Sequence, residues 1–125
     1  MRGGPPLADA QLSAFLLYVK GYRRMLRFYR DTLGLRCSWE DGHFAILQVG
    51  SSGPRLYLHA GRPGKIPKIA SCLVEFSVKD IEKTRLRFIG RKIRAGPIQD
   101  LPWGRKMMLA DPEGNEIAVF QFPRK

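Results

Sequence analysis

The sequence predicts an α+β domain built from two tandem βαβββ modules. Each half of the chain opens on an apolar strand, continues into a helix-spaced apolar stripe, and then shows strand-like stretches separated by turn residues. Short letter matches point to the same repeat: Val19-Lys20 answers Val78-Lys79, and Leu26-Arg27-Phe28 answers Leu86-Arg87-Phe88 one residue out of step. One module alone would leave an apolar sheet face in water, so the copies are expected to pack side by side as a single domain over residues 1–125. The first module falls at 12–59, a linker at 60–68, and the second module at 69–122.

The first strand is the apolar run at 14–19, ended by Lys20-Gly21. From Tyr22 the apolar residues Met25, Leu26, Tyr29 and Leu33 recur at helical spacing, and Gly34 stands where a left-handed cap is wanted. Strands are expected at 35–40, at 43–49 after the Asp41-Gly42 hairpin signal, and at 55–59 after Ser51-Ser52-Gly53-Pro54. The linker is rich in Gly, Pro and Lys. A strand at 71–78 then restarts the pattern, Asp80 is a candidate N-cap, and Ile81, Phe88 and Ile89 form a helical stripe ending at Gly90. The last strands are expected at 92–98, 105–110 and 116–122, the final two joined by the turn signal Asp111-Pro112-Glu113-Gly114-Asn115.

Composition narrows the function. With 125 residues and 44% apolar content, the chain can bury a core without disulfides or a structural metal. Its two cysteines, Cys37 and Cys72, have no Cys or His at ligand spacing, which excludes zinc fingers and disulfide scaffolds; both read as small apolar residues. No apolar run is long enough to cross a bilayer and the first eleven residues lack a secretion-type stretch, so a cytoplasmic protein without membrane association is expected. The net charge of +11 is spread almost evenly over the two halves, with clusters at Arg23, Arg24, Arg27 and Arg30 and at Arg85, Arg87, Arg91, Lys92 and Arg94. Such clusters read first as solvated helix faces, and nucleic acid is not the expected partner.

Val19-Lys20 leading into Phe28-Tyr29-Arg30-Asp31-Thr32-Leu33-Gly34-Leu35, and Trp103-Gly104-Arg105 leading into Asp111-Pro112-Glu113-Gly114-Asn115-Glu116-Ile117, resemble the vicinal oxygen chelate superfamily. That group includes glyoxalase I, extradiol dioxygenases, fosfomycin-resistance transferases and bleomycin-resistance proteins. The likeness covers about residues 14–122 and specifies the fold more than the reaction, because these are turn and helix-packing residues. The resemblance implies sheets curled around a cavity, pairing as a homodimer, and, in many enzyme members, a divalent metal. Its metal-ligand positions fall on Ala14, Tyr57, Leu73 and Ala118, which offer no carboxylate or imidazole; no metal cofactor is therefore expected at them.

Strand alternation then gives the cavity lining. Beside the ligand positions stand Leu16 and Tyr18 on the first strand, Tyr57 and His59 on the fourth, and Glu75 and Ser77 on the fifth. Glu116 and Phe120 join them from the last strand, with Trp103, Arg105 and Met107 from the stretch before the final turn. The expected ligand-binding set is Tyr18, Tyr57, Glu75, Trp103, Arg105, Met107, Glu116 and Phe120. Glu75 and His59 are the candidate acid/base residues: burial would raise the Glu75 pKa toward a general base, while a salt bridge to Arg105 or exposure at a rim is the plainer alternative. Trp103 offers a stacking face and Arg105 a fork for a carboxylate or phosphate. The expected function is metal-independent binding of a neutral or anionic aromatic small molecule. The alternatives are a metal-dependent lyase, isomerase or ring-cleaving dioxygenase, with metal held by His59, Glu75 or Glu116, and a polyanion binder using the arginine clusters.

Overall fold

The computed structural model describes residues 5, 6, 8, 9, 12–61 and 73–123. The chain divides into two compact units, Met1–Arg62 and Pro63–Lys125, each carrying one βαβββ module. Most of the expected linker, and Ser71 and Cys72 of the expected fifth strand, lie outside the described residues. Among the described residues no helix is long and apolar enough to cross a membrane.

The first unit runs β1 (Ala14–Val19), α1 (Tyr22–Leu26) prolonged by a π-helical turn (Arg27–Thr32), β2 (Arg36–Glu40), β3 (Phe44–Gln48) and β4 (Arg55–Ala60). Its sheet has the order β1-β4-β3-β2, with β1 parallel to β4 and the other pairs antiparallel. The helix contacts β4. Tyr22, Met25, Leu26 and Tyr29 make the core with Leu56 and Leu58 of β4 and Ala45 and Leu47 of β3, none of them more than 6% exposed. The departure from a pure α-helix is local. The Leu33 N–H donates to the Phe28 carbonyl, five residues back, and the Leu35 N–H donates to Tyr29 before Gly34 (φ +86°) turns the chain out.

The second unit repeats the plan as β5 (Val74–Ser77), α2 (Ile81–Gly90), β6 (Gln99–Leu101), β7 (Gly104–Ala110) and β8 (Glu116–Gln121), with sheet order β5-β8-β7-β6. Asp80 caps α2 as expected, accepting from the Lys83 N–H at 3.0 Å. The helix is anchored to the sheet at that end: the Ile81 N–H donates to Gln121 Oε1, and Glu82 pairs with Arg105 at 3.0 Å. Ile81, Met107, Leu109, Ile117 and Val119 form the core beneath it.

Beyond the end of α2 one expectation is corrected. The helix ends at Gly90 as expected, and Lys92 two residues on takes the left-handed backbone (φ +61°), the last carbonyls of the helix being taken by the Arg91, Lys92 and Ile93 N–H groups. The strand expected at 92–98 is a loop, and the ladder begins only at Gln99. The Gly96 N–H still donates to the Met108 carbonyl of β7 at 2.8 Å, but Pro97 has no N–H to donate and the Arg85 guanidinium takes the Gly96 and Ala95 carbonyls, so no continuous ladder forms before Gln99. Arg85 is thus a structural residue, whereas Arg23 and Arg27 of the first cluster are exposed.

Candidate ligand-binding face

Residues paired across neighbouring strands share a face of the sheet, so the register decides what can line a binding surface. In the first unit the face turned away from α1 carries Leu16 and Tyr18 of β1, Tyr57 and His59 of β4, and Phe44 and Ile46 of β3. Trp39 joins them through a bulge in β2. Cys37 pairs with Leu47 on the helix side, and simple alternation would send Trp39 the same way. The register slips between Cys37 and Trp39, so Trp39 stands opposite Ile46 on the open face. Cys37 is half-buried and its thiol donates to the Trp39 carbonyl at 3.3 Å, inside the bulge.

The rings on this face form one connected cluster. Centroid separations are 5.4 Å for Tyr18 and His59, 5.9 Å for His59 and Phe44, 5.2 Å for Phe44 and Tyr57, and 6.3 Å for Phe44 and Trp39. All are edge-on or tilted, the geometry the ring quadrupoles favour, and each such contact adds about 0.5–1.5 kcal/mol beyond area burial. Edge-on packing also leaves ring faces for a further flat group. Trp39 is 51% exposed and the other four are half-buried, in contrast with the buried Ala45, Leu47, Leu56 and Leu58 on the helix side of the same sheet. His59 Nδ1 lies 3.0 Å from the Ala60 carbonyl, which can only accept, so Nδ1 carries a proton in this contact.

The structure places three expected residues, Tyr18, Tyr57 and His59, on this face. Glu75, Glu116 and Phe120 belong to the second sheet, on the side away from α2, where Glu75 pairs with Ala118 and Ser77 with Phe120. Glu75 and Glu116 are exposed, so the burial that would make Glu75 a base is not present, and Arg105 is paired with Glu82 and Asp100 instead of Glu75. Phe120 is 3% exposed and stacks edge-on against Phe122 at 4.6 Å. Arg105 and Met107 are corrected: they pair with Gln121 and Val119, whose side of the sheet carries α2, and Met107 is fully buried there. Counting from Trp103 put the alternation one residue out, and a one-residue slip moves every side chain to the other face. Trp103 lies in the tight turn between β6 and β7 and is 60% exposed.

Trp39 and Phe44, which tie the cluster together, were not among the expected residues. Both faces of β3 are apolar, so hydrophobicity alone could not say which way Phe44 turns, and a bulge leaves no residue-type signal. Ala14, Tyr57, Leu73 and Ala118 carry no imidazole or carboxylate, and among the described residues no three His, Cys, Asp or Glu side chains converge and no buried side-chain polar atom lacks a partner.

The fold is shared with several solved structures. TnmS3, an antibiotic binding protein from Streptomyces sp. CB03234, matches with a TM-score of 0.79 at 22% identity, over 93% of this chain and 98% of that one. A lactoylglutathione lyase from Agrobacterium tumefaciens matches at 0.74 and 20% identity, over 94% and 96%. A member of the glyoxalase/bleomycin resistance protein/dioxygenase superfamily from Sphaerobacter thermophilus DSM 20745 matches at 0.75 and 19%, over 90% and 97%. No curated protein matches the chain in sequence. The family model of the Glyoxalase/Bleomycin resistance protein/Dioxygenase superfamily matches residues 11–119, and the chain belongs to that superfamily.

Proposed function

We propose that the protein is a metal-independent binding protein for neutral or anionic aromatic small molecules. The observation that carries this reading is the connected ring cluster of Tyr18, Trp39, Phe44, Tyr57 and His59 on the open face of the first sheet. A flat ligand laid on such a face exchanges water contact for ring contact at roughly 25 cal/mol per Å² of apolar area covered, with stacking added to it. The rings are already held by one another, so little side-chain freedom is lost on binding. The four family ligand positions offer no metal donors, which favours binding over metal-assisted chemistry, and one neighbour of the same fold is an antibiotic binding protein.

Methyl biphenyl-4-carboxylate, a neutral two-ring ester, serves as the probe, followed by indole fluorescence and by NMR shifts of the ring protons in the presence of EDTA. Saturable binding is expected with chelator present, weakened at least tenfold by Trp39→Ala, a change that touches a half-exposed ring and spares the core. Binding or turnover that appears only on adding manganese, nickel, zinc or ferrous ion would overturn the reading in favour of a metal-dependent lyase or dioxygenase.

A further inference from the structure

At the hairpin end of the aromatic face the sheet changes character. Leu47 stands opposite Leu56, so the next step of the antiparallel register sets Gln48 opposite Arg55, while Gln48 pairs with Arg36 on its other side. Arg36, Gln48 and Arg55 therefore form a row across three neighbouring strands, on the same face as Ile46 and Tyr57. The Arg36 guanidinium donates to Gln48 Oε1, a neutral partner. Among the described residues Arg55 has no acidic partner, and no Asp or Glu stands among the strand residues of this face. The nearest acid of β2, Glu40, pairs with Ala45 on the helix side and is held there by the Tyr22 hydroxyl. Among the described strand residues of the open face, the formal charges are thus two guanidinium groups with unused donors.

An independent feature lies at the same place. The β3–β4 connection closes a shallow, open depression with room for about 30 Å³, whose walls include Gln48, Ser51, Ser52 and Arg55. Its lining is polar and hydroxyl-bearing, and it meets the aromatic cluster where Arg55 precedes Tyr57 by two residues. At roughly 3.3 Å per strand residue, the Arg55 backbone lies about 7 Å from Tyr57 and about 13 Å from His59.

We infer that the ligand is an aromatic acid, whose carboxylate, sulfonate or phosphate sits on Arg55 and Arg36 beside the Ser51-Ser52 turn while its rings lie on Tyr57, Phe44 and Trp39. This rests on the aromatic face being the binding site and adds the charge and orientation of what it holds. Guanidinium forks suit such oxyanions because two parallel N–H donors match two oxygens, and the absence of a competing carboxylate leaves that capacity for the ligand.

The test compares biphenyl-4-carboxylate with its methyl ester on the intact protein and on three double variants. The acid is expected to bind about tenfold more tightly than the ester, with a preference that falls as salt rises. Arg36→Gln with Arg55→Gln removes that preference and leaves ester binding unchanged. Arg23→Gln with Arg27→Gln, an equal loss of charge at exposed positions on α1, leaves the preference intact. Trp39→Ala with Tyr57→Leu weakens both probes. Equal affinity for acid and ester, or a preference lost equally in the α1 variant, overturns the anion subsite while the aromatic face stands. Binding of neither probe overturns the aromatic face and the subsite together.

Discussion

The two units share one topology and one kind of helix-side core, yet their other sheet faces differ in composition and charge. On the helix side Val19, Leu58 and Leu47 of the first unit correspond in kind to Met107, Ile117 and Val119 of the second, all within 2% of full burial. Away from the helix, the first sheet presents five interlocked rings and two arginines, whereas the second presents Glu75, Ser77, Lys106, Met108, Glu116 and Ala118 with a single ring on the strand, Phe120, packed edge-on against Phe122. The connections between the last two strands differ in the same sense. In the second unit Asp111, 5% exposed, accepts from the Glu113 and Asn115 N–H groups and from Asn115 Nδ2, locking the turn on itself. In the first unit the equivalent connection is the open Gly50 to Gly53 turn with its polar depression. The helix-side core repeats between the units, while the composition of the other face does not.

The sharpest way to break this comparison is a substitution that one unit tolerates and the other does not. Gly104 opens β7 at φ +149°, and a Cβ there would lie 2.5 Å from the Gln121 carbonyl oxygen and 2.6 Å from the Phe120 ring. Gly104→Ala is expected to cost about 3 kcal/mol, from backbone strain together with overpacking, and to do so inside the second sheet. Gly53→Ala meets nothing within 4 Å and faces only its φ of +101°, so about 1 kcal/mol is expected there. Urea denaturation of both variants, with hydrogen exchange to locate the loss, measures the difference. Equal effects would mean that the Phe120 ring and the β8 backbone yield freely, and that the second face is less tightly built than the first core.

Much of this was legible in the sequence, and the pieces that were not have specific causes. Gly34 and the Asp111-Pro112-Glu113-Gly114-Asn115 run announced their turns because positive φ and Asx bonding need those residue types. The repeat announced the fold class, and Tyr18, Tyr57 and His59 followed by alternation from an apolar strand. Parity failed where its starting point was a turn: Arg105 and Met107 were counted from Trp103, which precedes the strand. At β2 alternation could not have found Trp39, because the bulge between Cys37 and Trp39 changes the count without changing the letters. Arg36 and Arg55 carried no motif, since only the register of three strands brings them together across Gln48.

A gentler probe separates the units by pH. The Tyr22 hydroxyl donates to Glu40 Oε2 at 3.0 Å and the Gly42 N–H donates to the same oxygen at 2.7 Å, fastening α1 to the β2–β3 hairpin. These bonds, the backbone one first, hold the Glu40 carboxyl below its ordinary value of 4.5, and the His43 and Phe44 N–H groups hold Asp41 below its own. Burial and then Glu40 itself push the Tyr22 phenol upward, so it stays protonated as the donor. A depressed carboxylate stabilises the fold above its unfolded pKa and loses that contribution as pH falls through the folded one. The first unit should therefore weaken on acidification below about pH 4.5, where unfolded carboxylates begin to protonate. Tyr22→Phe is expected to cost about 1 kcal/mol at neutral pH and to flatten this acid response. Urea midpoints of wild type and variant at pH 3, 4, 5 and 7 test it, and parallel curves would show that the hydroxyl does not govern the carboxylate.

The smallest expected effect compares the two helix ends. The first ends on Gly34 at φ +86°, with open space where a Cβ would stand, and the second on Lys92 at φ +61°. A lysine in left-handed backbone carries roughly 1 kcal/mol of steric cost that glycine avoids, offset in part by the greater freedom glycine has when unfolded. Lys92→Gly should therefore raise stability by about 0.5 kcal/mol, read as a small increase in urea midpoint at unchanged slope. Lys92→Ala keeps the Cβ and loses only the long side chain, so it should leave the midpoint nearly unchanged. If alanine stabilises as much as glycine, the gain comes from removing one positive charge beside exposed Arg91 and Arg94, and the cap geometry of α2 is as relaxed as that of α1.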